Sequence, residues 1–225
     1  MVKCLVKLGI VKYLVVHGTN INKMDYKEKT PLFYACENGK EAVVKYLVEL
    51  GADINKKDCK GKTPLFYACK NGNKAVVKYL VEKGANINEE SLHKKTPLFS
   101  VCKNGNEAVV KYLIEKGANI NKVNDVGKTP LFNACKNGNE TLVKCLVKHG
   151  TDIHKVSNLG ETVLFNACKN KNEAVVKYLV EQLKSDINKE NWVNETLIFI
   201  ACSFGNKAIV KFLVEHNANI NRVNK

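Results

Sequence analysis

Arginine is all but missing from this chain. Of 36 basic residues only Arg222 carries a guanidinium. Arginine is the usual reader of base edges in DNA and RNA grooves, and no nucleic-acid motif stands in for it. There is no Pro/Ser-rich linker and no low-complexity tract, and tryptophan occurs once, as Trp192. No stretch approaches the roughly 18–20 uncharged apolar residues that a membrane-spanning helix needs. Neither an HExxH pair nor a phosphate-cradling glycine loop is present. The histidines are His17, His93, His149, His154 and His216, and none pairs with a unique Ser or Cys and an acid in a recognisable motif. These absences point away from an enzyme, and no cofactor or metal is expected. The nine cysteines show no CxxC-like spacing of the kind zinc sites favour.

What the chain does have is lysine and a repeat. The formal net charge of +14 suggests an acidic partner or a Lys- and Asn-rich bias, and composition alone does not separate the two. Thr-Pro-Leu-Phe begins at Thr30, Thr63, Thr96 and Thr129, and weaker copies begin at Thr162 and Thr196. The steps are 33 residues four times and then 34, a period that marks stacked repeats. Within one copy, Thr63 before Pro64 predicts a hydroxyl-capped helix start. That helix runs to about Lys70, and Asn71-Gly72 is a turn. A second helix spans Ala75 to Lys83, and Gly84 closes it in the left-handed geometry. Lys45, Lys78, Lys111, Lys144, Lys177 and Lys211 recur on second helices, mostly with Glu four residues later, and read as a solvated outer face of helical ion pairs.

The Thr-Pro-Leu signature, the inter-helix glycine, the Val-Val-Lys-Tyr-Leu helix and the Gly-Ala-Asn/Asp-Ile-Asn exit resemble the ankyrin repeat family. The resemblance implies an all-α solenoid of stacked helix–turn–helix units with short hairpin loops. It implies one domain over 1–225, with a degenerate N-terminal helical cap at 1–24. Six full repeats would lie at about 25–57, 58–90, 91–123, 124–156, 157–190 and 191–225. The opening residues duplicate two second helices, and Lys3, Lys7 and Lys12 break the apolar run that an export signal would need. The family's usual His after Thr-Pro-Leu is replaced by Phe33, Phe66, Phe99, Phe132, Phe165 and Phe199, so burial is expected to hold the stack. Cys36, Cys69, Cys102, Cys135, Cys168 and Cys202 recur one repeat apart, too far for disulfides or a shared metal if repeats stack at about 10 Å. Buried free thiols imply a reducing compartment, the cytoplasm or the nucleus.

Positions that vary between repeats are where a partner is expected, because the core does not constrain them. The family's partners usually meet the hairpin tips and the exposed side of the first helix. In the early repeats these positions hold Tyr26, Lys27, Lys29, Tyr34, Lys60, Lys62, Tyr67, His93 and Lys95. Later ones hold Val126, Lys128 and Leu159, and the last holds Trp192, Val193, Ile200 and Phe204. The expectation is a non-catalytic scaffold or adaptor whose concave face grips an acidic segment through the basic, tyrosine-lined part and a hydrophobic anchor through the apolar end. Nucleic-acid or other polyanion binding is one alternative, and a regulatory fragment of a larger protein is another. A monomer is expected unless the apolar C-terminal end, with Ile198, Ile209 and Phe212, is covered. The fifth repeat is irregular: Lys171 replaces the inter-helix glycine and Gln182-Leu183-Lys184-Ser185 replaces the Lys-Gly exit, which predicts a kink and a weak junction.

Overall fold

Each repeat opens on a turn built by one short polar side chain five residues before the motif threonine. Asp58 Oδ1 accepts the backbone N–H groups of Lys60 and Lys62 at 2.9 and 2.8 Å. Asp25 does the same for Lys27 and Lys29, Asn124 for Val126 and Lys128, and Asn191 for Val193 and Glu195. The hydroxyl of Ser157 serves Leu159 and Glu161. Side-chain acceptors bonded two and four residues on fix a tight turn without any ladder.

The computed structural model describes residues 20–181, 184 and 186–221. The expected N-terminal cap, with His17, lies mostly outside them, as do Gln182, Leu183 and Ser185. The chain divides into two compact units, Met1–Asn119 and Ile120–Lys225. The first carries α1 (Pro31–Glu37), α2 (Glu41–Glu49), α3 (Pro64–Asn71), α4 (Lys74–Glu82), α5 (Pro97–Asn104) and α6 (Glu107–Glu115). The second carries α7 (Pro130–Asn137), α8 (Glu140–Lys148), α9 (Val163–Lys169), α10 (Glu173–Glu181), α11 (Leu197–Ser203) and α12 (Lys207–Glu215). No strand occurs among the described residues. In the first unit α1, α3 and α5 pack side by side, with α2, α4 and α6 as a second layer; in the second unit α7, α9 and α11 form one layer and α8, α10 and α12 the other. This is an all-α repeat solenoid.

The layers close over a column of apolar residues repeated in register. Leu32, Phe33, Cys36, Leu65, Phe66 and Cys69 are buried, as are their later counterparts up to Leu164, Phe165 and Cys168. Burial pushes the Cys36, Cys69 and Cys135 thiols far up, and that of Cys168 up to about 12, so they stay protonated and act as small hydrophobes. Phe199 and Cys202, at the same positions of the last repeat, are exposed.

The helix starts are not capped where the sequence suggested. Thr30, Thr63, Thr96, Thr129 and Thr162 make no side-chain cap bond, and each buried hydroxyl lacks a hydrogen-bond partner among the described residues. The backbone N–H of the phenylalanine three positions on, which a capping hydroxyl would accept, donates to the threonine carbonyl instead, as Phe66 N–H does to Thr63 O at 3.0 Å. Four of the second helices are capped instead: Asn73 Oδ1 accepts from Ala75 and Val76, Asn106 from Val109, Asn139 from Leu142 and Asn206 from Ile209, whereas α2, which follows Lys40, has no side-chain cap. A buried hydroxyl without a partner costs about 1–3 kcal/mol. Thr96→Val, of nearly the same shape, is therefore expected to raise the urea midpoint, and a drop of more than about 1 kcal/mol would show a hidden partner for the hydroxyl.

Two asparagine stitches join successive repeats. Asn55 donates Nδ2–H to Gly84 O at 3.0 Å while its Oδ1 accepts Asn86 N–H at 2.9 Å. Asn22, Asn88, Asn121 and Asn188 repeat that pair of bonds. Within the first unit Asn73 and Asn106 donate to Gly39 O and Gly72 O at 3.1 and 2.8 Å. The inter-helix glycine is needed for this approach: a Cβ on Gly72, at φ +84°, would stand 3.0 Å from Asn106 Nδ2. Lys171 takes the same left-handed region, at φ +58°, a strained position for a side chain that carries Cβ.

The outer ion pairs run mostly opposite to expectation. Lys45, Lys111, Lys144 and Lys177 pair with the glutamate four residues before them, Glu41, Glu107, Glu140 and Glu173, at 2.5–2.7 Å. Lys78 and Lys211, whose helices begin with lysine, reach forward to Glu82 and Glu215 at 3.7 and 3.8 Å. Glu ahead of Lys is the better orientation because the acid then sits at the positive end of the helix.

Candidate functional site

In the first unit the predicted tyrosines are tied to turn carboxylates. Tyr67 O–H donates to Asp58 Oδ2 at 2.6 Å, and Tyr34 O–H donates to Asp25 Oδ2. The hydrogen bond to Asp25 pushes the Tyr34 phenol up to about 12. Burial and then Asp58 push Tyr67 further up. Both phenols are fixed neutral donors. Tyr67 is buried against the Phe33 ring, whose centroid lies 5.5 Å away in an edge-to-face arrangement. Lys29 lies over Tyr67 at 4.0 Å from the ring centroid and reaches Glu37 at 3.4 Å, where Lys70 of the next repeat also arrives at 3.4 Å. Tyr26, Lys27, Lys60 and His93 are exposed at tips, while Lys62 and Lys95 are half-buried. Burial lowers the Lys62 ammonium, Asp58 opposes this, and Lys60, Lys95 and Lys70 add repulsion.

In the second unit the position before the motif threonine changes from Lys128 to Glu161. Glu161 is buried, and its carboxylate takes Lys128 of the preceding repeat at 2.9 Å and also Lys169 of its own. Burial would raise this carboxyl, but the two lysines outweigh burial and hold it below its ordinary value.

The tips of the second unit are apolar and lie in register. Trp192 N–H donates to Leu159 O at 3.1 Å and Asn158 N–H to Val126 O at 3.0 Å, so neighbouring tips are bonded backbone to backbone. Val126, Leu159 and Val193 occupy equivalent positions and are 47%, 63% and 62% exposed, beside Trp192 at 71%. The Trp192 ring leans on Gly160, where a Cβ would stand 2.6 Å from Cδ1. Phe204 is exposed at the end of α11, whereas Ile200 is buried inside the last repeat, so these two, grouped by the sequence, do not share one surface. A cavity of about 180 Å³ lies beside His154, lined also by Ile153, Thr162, Val163, Leu164, Asp186 and Lys189. His154 stands where other repeats have the stitching asparagine.

Sequence reading missed Asp25, Asp58 and the Glu161 bridge. The signal was present, since the residues five before the motif threonine are Asp25, Asp58, Ser91, Asn124, Ser157 and Asn191, all turn formers. His149 and His216, at the C-terminal ends of α8 and α12, donate Nδ1–H to Cys145 O and Phe212 O at 2.7 and 2.8 Å.

A family model for ankyrin repeats in three copies matches residues 2–91, 89–157 and 133–224. The chain belongs to the ankyrin repeat family. No curated protein matches it. Ankyrin repeats are generally protein–protein interaction modules, typically without catalysis of their own. Among the described residues no group of three or more His, Cys, Asp or Glu could hold a metal ion, and no helix is long and apolar enough to cross a membrane.

Proposed function

We propose that this ankyrin domain is a non-catalytic adaptor that holds a partner protein on its hairpin-tip side. One observation carries the reading. Four large apolar side chains, Val126, Leu159, Trp192 and Val193, are exposed on successive tips joined by backbone hydrogen bonds. Scattered single apolar residues are ordinary on a surface, whereas a contiguous exposed group that includes a tryptophan is the usual anchor of an interface. The turns beneath are rigid, held by Asn124, Ser157 and Asn191, so little ordering entropy is lost when a partner docks. The partner would present an apolar side chain to this stripe.

Affinity capture from cell extract tests this with the wild type, Leu159→Ala/Trp192→Ala, and Lys211→Ala as an outer-face control. A retained protein should fall at least about tenfold with the tip double variant, since each buried anchor contributes about 2 kcal/mol or more, and stay constant with the control. Circular dichroism should be unchanged in all three. An identical retained set for wild type and tip variant would remove the reading.

A further inference from the structure

The residue before the motif threonine is Lys29, Lys62 and Lys95 in the first unit, then Lys128, Glu161 and Glu195 in the second. Two carboxylates that meet this row are each gripped by two lysines from adjacent repeats. Glu161 lies between Lys128 and Lys169, and Glu37 lies between Lys29 and Lys70. The middle of the row has no such acid. Lys62 and Lys95 are half-buried one repeat apart, and among the described residues neither ammonium has an ion pair. Withdrawing a charge from water without a counter-charge is costly. Lys62 carries part of that penalty, since burial first, and then Lys60, Lys95 and Lys70, disfavour its charged form and Asp58 offsets them only in part. Nearby hydroxyls are not available to an incoming anion as they stand, because Tyr67 is already committed to Asp58.

We infer that Lys62 and Lys95 form a carboxylate-binding station, where a Glu or Asp side chain from an acidic segment of a partner protein bridges the two ammonium groups as Glu161 bridges Lys128 and Lys169 within the chain itself. This deepens the reading of the hairpin side as a protein-recognition surface and rests on it. The internal pairs supply the chemistry: a single carboxylate bridging two ammonium groups, held between a turn and a first helix. The exposed Lys60, on the tip beside Lys62, adds attraction for further acids along the same segment.

The test has an internal and an external arm. Lys95→Glu recreates one repeat earlier the arrangement of Lys128 with Glu161, so it should raise Tm by about 2 °C and abolish binding of a fluorescein-labelled oligoglutamate peptide read by anisotropy. Lys62→Gln/Lys95→Gln should weaken that peptide by about tenfold or more. Lys78→Gln/Lys211→Gln, with the same loss of charge on the outer helices, should change it less than about twofold. Equal losses in the two double variants would reduce the effect to net charge and overturn the station. A fall in Tm for Lys95→Glu, or no peptide binding by the wild type, would overturn it as well. Duplex DNA that binds more tightly than the peptide and is lost in Lys62→Gln/Lys95→Gln would assign the lysines to a nucleic-acid polyanion instead. The Leu159→Ala/Trp192→Ala variant should bind the peptide like the wild type, so failure here leaves the apolar-stripe reading standing.

Discussion

Phe66→Ala is expected to destabilise the fold by about 3–5 kcal/mol, while Phe199→Ala, the same deletion at the same repeat position, removes about 1 kcal/mol or less. The two rings differ only in what covers them. Phe66 lies on α3, flanked by α1 and α5, and is 2% exposed. Phe199, on α11, is 41% exposed. Deleting the Phe66 ring removes its transfer free energy and leaves a cavity that two packed layers cannot collapse around. Deleting the Phe199 ring removes atoms that are already partly in water. Urea unfolding of both variants measures the contrast, with circular dichroism and tryptophan fluorescence as two probes. Trp192 lies in the second unit, so a Phe66→Ala transition seen earlier by circular dichroism than by fluorescence would show the first unit melting on its own, as nearest-neighbour stacks can. Equal losses for Phe66 and Phe199 would contradict the view that burial by the neighbouring repeat carries the stability.

The repeat, the helix pairs and the buried phenylalanine column were legible in the sequence because periodicity reports on the core, where every repeat meets the same demand. Gly72 was legible for the same reason, since its φ of +84° excludes most side chains. Hydrogen-bond partners were less legible. Thr63 looks like a cap in one dimension, yet its hydroxyl is buried without a partner, and the Phe66 N–H it would accept goes to the Thr63 carbonyl. Asn73 looks like turn filler, yet it caps α4 and bonds Gly39 of the preceding repeat. The Asn73 bond to Gly39 spans about one repeat of sequence, which local propensity does not encode. The candidate surface divides along the same line. Exposed tips such as Trp192 and Leu159 were found because they vary between repeats. Tyr67 and Ile200 vary too, but one is held by Asp58 and the other is buried in the last repeat, so variation alone did not mark exposure.

Asp58→Ala is expected to lower stability by about 3 kcal/mol, against about 1 kcal/mol for Tyr67→Phe. Asp58 is buried, with one oxygen accepting two backbone N–H groups and the other the Tyr67 hydroxyl. Truncation orphans all three donors in a site that water reaches poorly, and charge-assisted bonds are the strong ones. Tyr67→Phe loses one bond and leaves the carboxylate its two amides. Asp58→Asn should fall nearest the wild type, because Asn124 and Asn191 already perform the same turn in their own repeats. The ordering Ala, then Phe, then Asn in decreasing loss can be read from urea midpoints. Amide hydrogen exchange adds a local check: Lys60 and Lys62 N–H should lose protection in Asp58→Ala and keep it in Tyr67→Phe. If protection persists in Asp58→Ala, the tip holds its shape through the Cys59 N–H bond to Lys27 O. The two lysines would then be presented by the backbone contact between repeats rather than by the aspartate.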